Sequence, residues 1–264
     1  MVDFEFKEKY TVDDLIEIVR LLRSPDGCPW DREQTHSSIK KNFIEETYEV
    51  IEAINKDDKE LLREELGDVM LQVALHSQME AEHGAFDFDD VANDICQKLI
   101  VRHPHVFGDV SVSSTDDVLT NWDSIKRATK GQKTFSSSME SIPRELPALM
   151  RATKVQQKAA KAGFDWDNVS GALEKLHEEI AELEEAVESK TPDDVFEELG
   201  DLIFSAVNVS RFVKCDAEEA LTAATDKFMS RFCMVEKLAC ERGIDMTHAT
   251  LEELDKLWDE SKNM

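Results

Sequence analysis

The sequence predicts an all-α protein made from two copies of one design, and three observations predict it. All six prolines, at 25, 29, 104, 143, 147 and 192, fall beside expected helix ends and leave long proline-free tracts rich in Glu, Leu, Ala and Lys. Apolar residues keep helical spacing, as in Leu15, Ile18, Val19 and Leu22, and no segment sustains the period-two alternation of a strand. A string of acids also occurs twice. Glu45, Glu46, Glu49, Glu64, Glu65, Gly67 and Asp68 recur as Glu178, Glu179, Glu182, Glu197, Glu198, Gly200 and Asp201, each 133 positions on (178 − 45 = 201 − 68 = 133).

Taken in order, the periodic stretch Leu15 to Leu22 is the first helix, and Phe43, Val50, Ile51 and Ile54 mark the helix that carries Glu46 and Glu49. Asp58 stands 133 residues before Thr191 and should cap the next helix, which carries Glu65 and Asp68. Lys98 and Arg102 lie one turn apart near the end of a long helix, and Pro104 stops it between His103 and His105. Trp122 and Lys126 form another one-turn pair. The stretch from Gly131 to Pro143, with Ser136, Ser137 and Ser138 and little apolar content, reads as a linker, giving halves 1–135 and 136–264. In the second half Thr191, Pro192 and Asp193 place a capping hydroxyl, a first-turn proline and an acid in the order a helix start prefers. Leu199, Leu202, Ile203 and Ala206 continue that helix. Trp166-Asp167 repeats Trp30-Asp31, Lys227 and Arg231 repeat Lys98 and Arg102, and Trp258 and Lys262 repeat Trp122 and Lys126.

A formal net charge of −26 argues strongly against a nucleic-acid groove or an anionic membrane surface as partner, since these call for basic stripes. No apolar run approaches membrane-spanning length and the N-terminus lacks a signal-peptide pattern. Five cysteines without a C-x-x-C pair read as reduced thiols in a cytoplasmic protein.

On helices, Glu46 and Glu49 stack one turn apart, Glu65 and Asp68 do the same, and an antiparallel pair would bring the four together. The second half would do likewise with Glu179, Glu182, Glu198 and Asp201. Four convergent carboxylates make a hard-cation site, of which Mg²⁺ with a polyphosphate is the usual occupant. The bland alternative is a solvated acidic helix, but Glu65 and Asp68 are flanked by Leu66, Val69, Met70 and Leu71, and Glu198 and Asp201 by Leu199, Leu202, Ile203 and Phe204. Carboxylates in such apolar surroundings need a cation. Gly67 and Gly200, in mid-helix, give up about 1 kcal/mol relative to alanine and mark either tight helix packing or ligand access.

The recurring Lys-x-x-x-Arg pairs are solvated charges if read alone and phosphate clamps if read with their repetition. Trp122 and Trp258 read as core or interface residues, or as base-stacking platforms beside a lysine. His103-Pro104-His105 reads as a helix stop, and Glu80-x-x-His83 has no histidine counterpart in the second half, which weakens a di-iron reading. No Walker A loop, dinucleotide-binding glycine pattern or nucleophile elbow is present.

These residues resemble the MazG family of nucleoside triphosphate pyrophosphohydrolases, within the all-α NTP pyrophosphatase superfamily. The similarity runs through Gly27-Cys28-Pro29-Trp30-Asp31, Glu45-Glu46-Thr47-Tyr48-Glu49-Val50, Glu64-Glu65-Leu66-Gly67-Asp68, Arg102-His103-Pro104-His105-Val106-Phe107, Leu146-Pro147-Ala148-Leu149-Met150 and Gly163-Phe164-Asp165-Trp166. The resemblance implies two tandem four-helix-bundle-like domains that dimerise through helices. It also implies Mg²⁺-dependent cleavage of nucleoside triphosphates to monophosphate and pyrophosphate, with Mn²⁺ as a substitute and broad base tolerance. The family's metal ligands fall on Glu179, Glu182, Glu198 and Asp201, and on Glu46, Glu49, Glu65 and Asp68. Its substrate contacts fall on Lys227, Arg231, Trp258 and Lys262, with Lys98, Arg102, Trp122 and Lys126 as the first-half counterparts. Glu178 or Glu179 is the candidate to orient or deprotonate the water, and the second half is the expected main site. Asp194 departs from the pattern, since some relatives carry a lysine there. A substrate-restricted pyrophosphohydrolase and a non-catalytic acidic helical interaction protein are the alternatives.

Overall fold

The structure, a computed structural model, describes residues 2–129, 134–189 and 191–262. Helices and no strand occur among the described residues, as the proline spacing and periodicity predict. The chain divides into two compact units, Met1–Lys126 and Arg127–Met264.

The first unit contains α1 (Val12–Arg23), α2 (Pro29–Glu33), α3 (His36–Asn55), α4 (Lys59–His83), α5 (Phe88–Arg102) and α6 (Pro104–Phe107), and it ends within α7 (Thr115–Thr129). Its centre is the antiparallel hairpin of α3 and α4. The chain reverses at Asp57, which takes a left-handed φ of 51°, and the amide of Asp58 donates to the Ala53 carbonyl at 3.1 Å. Asp58 then caps α4, its carboxylate accepting from the amides of Glu60 and Leu61 at 3.0 and 3.1 Å. Helix α1 packs on α4, and Val19, Ile39, Ala74, Leu75 and Met79 form the core with Leu15, Leu71 and Phe88 against it. Val19 is fully buried, which stabilises the unit by about 1.5–3 kcal/mol.

The second unit contains α8 (Phe135–Glu140), α9 (Ala148–Lys161), α10 (Val169–Ser189), α11 (Pro192–Phe212), α12 (Ala217–Glu241) and α13 (Leu251–Ser261). Helix α10 packs along α11, α9 lies on α11 and α12, and α12 pairs with α13. Val235, Leu238, Ala239 and Leu257 make the core between those last two helices. At the start of α11, Thr191 and Asp194 form the reciprocal capping box, in which the Thr191 amide donates to Asp194 at 2.9 Å and the Asp194 amide donates to the Thr191 hydroxyl at 3.4 Å.

Part of the expected linker is helical. Residues 131–133 of that stretch lie outside the described residues, but Thr134 caps α8 through Ser137, and Ser138 is buried. The serines that read as a loop supply a cap and small side chains for packing.

Candidate active site

The α3–α4 and α10–α11 pairs bring the repeated acids together. Glu46, Glu49 and Glu65 place carboxylate oxygens within 4.8 Å of one another, and Glu179, Glu182 and Glu198 do the same in the second unit. Asp68 and Asp201 follow one turn on along α4 and α11, outside these closest groups, although the Asp68 charge bears on both Glu46 and Glu65. Within each group one acid is buried, Glu65 at 9% exposure and Glu179 at 4%.

The expectation of an apolar setting for these acids is corrected in part. Leu66, Met70, Leu199 and Ile203 are exposed, while the acids face the neighbouring helix. Adjacent residues on a helix point about 100° apart, so the flanking apolar side chains cover the outer face rather than the carboxylates.

Carboxylate crowding has the expected electrostatic signature. Burial, then the hydrogen bond to Glu49 and the charges of Asp68, Glu49 and Glu65, raises the Glu46 carboxyl above its ordinary pKa. Burial and then Glu49, Asp68 and Glu64 raise Glu65. Burial raises Glu182, with Glu179 and Glu198 adding to it and the Lys175 charge opposing it. A divalent cation would relieve this repulsion, and all donors are hard carboxylate oxygens, the set that Mg²⁺, Mn²⁺ and Ca²⁺ prefer. One oxygen is already exposed to that need: Glu179 Oε2 is buried without a hydrogen-bond partner. The acids therefore fit a hard cation, and Glu179, Glu182 and Glu198, with Asp201 beside them, would hold it.

Lys175, which sequence reasoning did not single out, is a cation held at this group. Its ammonium reaches Glu178 at 2.7 Å and Glu179 at 2.8 Å, and these bonds raise its pKa. The signal was available, because Lys175 stands three and four residues before the two acids on one helix. Its first-unit equivalent by the 133-residue shift is Asn42, so the two acid groups differ in charge.

The basic and aromatic pairs take similar positions in both units. The Arg102 guanidinium lies over the Trp122 ring at 5.3 Å from its centroid, and Arg231 over Trp258 at 5.9 Å. His103 also packs edge-on against Trp122. Trp258 rests against the α12–α13 core and against Phe228, with ring centroids 5.1 Å apart. Lys98 and Lys227 are exposed, and Lys262 pairs with Asp259 at 2.7 Å. Lys126 is half-buried. Asp194 is occupied in the α11 capping box. Glu80 does not join His83: it bonds His36 at 2.6 Å, while His83 bonds the Met79 carbonyl.

Gly67 and Gly200 have no atom within 4 Å of where a Cβ would stand. Tight packing within the chain does not explain them, and both positions face solvent.

Fold and site together define a class, an all-α protein with a carboxylate nest for a hard cation in each of two repeated helix pairs. The model of the MazG nucleotide pyrophosphohydrolase domain matches residues 34–107 and 168–235, one stretch in each unit. A nucleoside triphosphate pyrophosphohydrolase of Escherichia coli (strain K12) is 43% identical over 254 residues, spanning 95% of this chain and 97% of that protein. The nucleoside triphosphate pyrophosphohydrolase/pyrophosphatase MazG of Thermotoga maritima is 46% identical over 250 residues, 95% of each. The uncharacterized protein YabN of Bacillus subtilis is 49% identical over 247 residues, 93% of this chain and 50% of its own length. The chain belongs to the MazG family, and it is a hydrolase of nucleoside triphosphate anhydride bonds.

Proposed function

We propose that this protein hydrolyses nucleoside triphosphates to the monophosphate and pyrophosphate, depends on Mg²⁺ with Mn²⁺ as a substitute, and accepts several bases. The observation that carries the reading is the second-unit acid group with its buried, unpartnered Glu179 oxygen. Bound Mg²⁺ supplies charge neutralisation and alignment for the triphosphate.

The chain's own groups do the rest. A water adds at the α–β anhydride, the bridging P–O bond breaks, and the bridging oxygen leaves with its electron pair on pyrophosphate or on the monophosphate. Glu178 or Glu179 accepts the water's proton and returns it to solvent. Lys175, already on both carboxylates, holds them in place and is free to turn to a phosphate when a cation takes Glu179. Lys227 and Arg231 receive the pyrophosphate end, with Trp258 holding the Arg231 guanidinium and Lys262 at the C-cap of α13, four residues beyond Trp258.

The proposal includes a cytoplasmic homodimer that joins through helices. Phe196, Leu199 and Ile203 on α11 and Leu221, Phe228 and Phe232 on α12 are large exposed apolar side chains, which favours burial against a second copy. No helix among the described residues is long and apolar enough to cross a membrane.

The test is product analysis with a panel of ribo- and deoxyribonucleoside triphosphates, resolving monophosphate plus pyrophosphate from diphosphate plus phosphate. Glu198→Gln should lower kcat by at least roughly a hundredfold while leaving the helical signal intact. Wild-type turnover in that variant would remove the second-unit site from the mechanism. Oxygen-18 water shows which phosphorus is attacked.

A further inference from the structure

Two imidazoles and a carboxylate meet in the first unit, at the end of the α3–α4 hairpin away from the Asp57 turn. His36 is the first residue of α3, and His76 and Glu80 stand one turn apart on α4. His36 Nδ1 lies 2.6 Å from His76 Nδ1, and His36 Nε2 lies 2.6 Å from Glu80 Oε1. The imidazole planes are parallel to within 2°, with centroids 4.9 Å apart. Centroids that far apart at so short an N···N distance mean that the nitrogens stand between the ring centres and point at one another. The group is reachable from solvent, the His36 side chain being 48% exposed, and Phe43 packs against the His76 ring with centroids 5.9 Å apart.

We propose that His36 and His76 form a binding site for a divalent ion of the zinc class, held between the two Nδ1 atoms, with Glu80 orienting the His36 ring. The proposal is independent of the triphosphate reading. An ionised carboxylate only accepts hydrogen bonds, so Glu80 fixes the His36 proton on Nε2 and leaves a bare Nδ1 lone pair aimed at His76. Imidazole ligands of metal ions are held in the same way, the second ring nitrogen donating to a carboxylate. Without an ion, His76 fills the gap with an Nδ1–H; moving that proton to His76 Nε2 presents two lone pairs to one space. On a tetrahedral zinc ion with Zn–N of about 2.0 Å, two imidazole nitrogens stand about 3.3 Å apart, so the rings part by roughly 0.7 Å, within the freedom of a half-exposed side chain. Imidazole nitrogen suits Zn²⁺, Cu²⁺ and Ni²⁺, whereas carboxylate oxygens suit Mg²⁺ and Mn²⁺, so this pair and the acid nest sort different ions. They are also apart in space. His36 precedes Glu46 by ten residues on α3 (46 − 36 = 10) and His76 follows Glu65 by eleven on α4 (76 − 65 = 11), which puts the imidazoles roughly 15 Å along the hairpin from the acids.

The second unit builds the same hairpin end without these groups. The helix starts correspond: Thr35 caps α3, and Asn168, 133 positions on, accepts from the Ser170 amide at 2.9 Å. At that shift His36, His76 and Glu80 become Val169, Val209 and Val213. The fold thus does not require polar groups at this place, and all three change together, as a shared ligand would demand.

The test uses the full chain, stripped of metal with a chelator and returned to millimolar Mg²⁺ so that the acid nests are occupied. Zn²⁺ uptake is measured by calorimetry and Co²⁺ uptake by visible absorption, for the wild type, His36→Val, His76→Val and Glu80→Gln, with circular dichroism to check folding. The wild type should take up one Zn²⁺ per chain at micromolar concentration, and its thermal unfolding midpoint should rise with it. Each valine variant, copying the second unit, should weaken uptake by at least roughly tenfold, and Glu80→Gln by roughly tenfold through the loosened His36 ring. In the wild type the ¹⁵N signals of the two Nδ1 atoms should move on binding while those of His83 and His248 stay, a readout that needs no variant. No uptake by the wild type overturns the site. Unchanged uptake by both folded valine variants also overturns it, since the ion would then sit on the acids or on the exposed thiols of Cys96, Cys215, Cys233 and Cys240.

Discussion

Lys175 shows how a single side chain tunes an acid group. Its ammonium shares Glu178 and Glu179, one of which also belongs to the Glu179, Glu182 and Glu198 nest. A positive charge at that distance competes with a divalent ion for the same oxygens, an effect reduced because Lys175 is only half-buried. Lys175→Met should therefore tighten Mn²⁺ binding to the nucleotide-free protein by roughly two- to fivefold in calorimetry. The same substitution should slow turnover, since the lysine no longer steadies the two acids. Arg23 makes a different point. Its guanidinium is enclosed and makes four hydrogen bonds, whereas its partner Glu82 keeps about a third of its surface in water. Arg23→Ala should cost about 2–4 kcal/mol in urea unfolding, below the range for a wholly buried pair because Glu82 can regain water.

At the scale of the helix, the glycines of the acid-bearing elements leave room that the chain does not fill. Gly200→Ala should stabilise α11 by about 0.5–1 kcal/mol, because a methyl group there meets no atom and the helix gains propensity. If the space serves a cation, a phosphate or a second copy, the stabilised variant will show weaker nucleotide binding or a weaker dimer; thermal melts and sedimentation read the two effects separately. What the sequence disclosed at this scale was local. The caps at Asp58 and Thr191 were legible because capping depends on three or four adjacent residues, and the acid nests were legible because helix spacing and an exact repeat fix their faces. A cavity in the second unit was not legible, since its walls come from residues as far apart in sequence as Met139 and Arg211. Helix α8 was missed because three serines resemble a loop until Thr134 and Ser137 are seen to cap each other.

Across the whole molecule the two units differ where one carries imidazoles. His36 and His76 bring their Nδ1 atoms to 2.6 Å, and His36 reaches Glu80 with its other nitrogen; the 133-residue equivalents are Val169, Val209 and Val213. Burial and then the His36 charge hold the His76 pKa below the ordinary 6.5. The unfolded chain therefore takes up a proton there more readily than the folded one, and this histidine makes stability fall as pH drops below about 6.5. His76→Val should remove that loss, measured as the difference between wild-type and variant unfolding free energies from pH 7.5 to 5.5. The raised carboxyls of Glu46, Glu65 and Glu182 act in the opposite sense, since the folded state holds their protons better and gains stability as pH falls. Mn²⁺ should flatten that contribution by occupying the deprotonated acids.

Both units keep an acid nest, yet the second sets Lys175 on its acids where the first has Asn42. Titration with Mn²⁺ should then return two unequal steps for each polypeptide, the earlier one at the N-terminal copy, which has no ammonium at that position to displace.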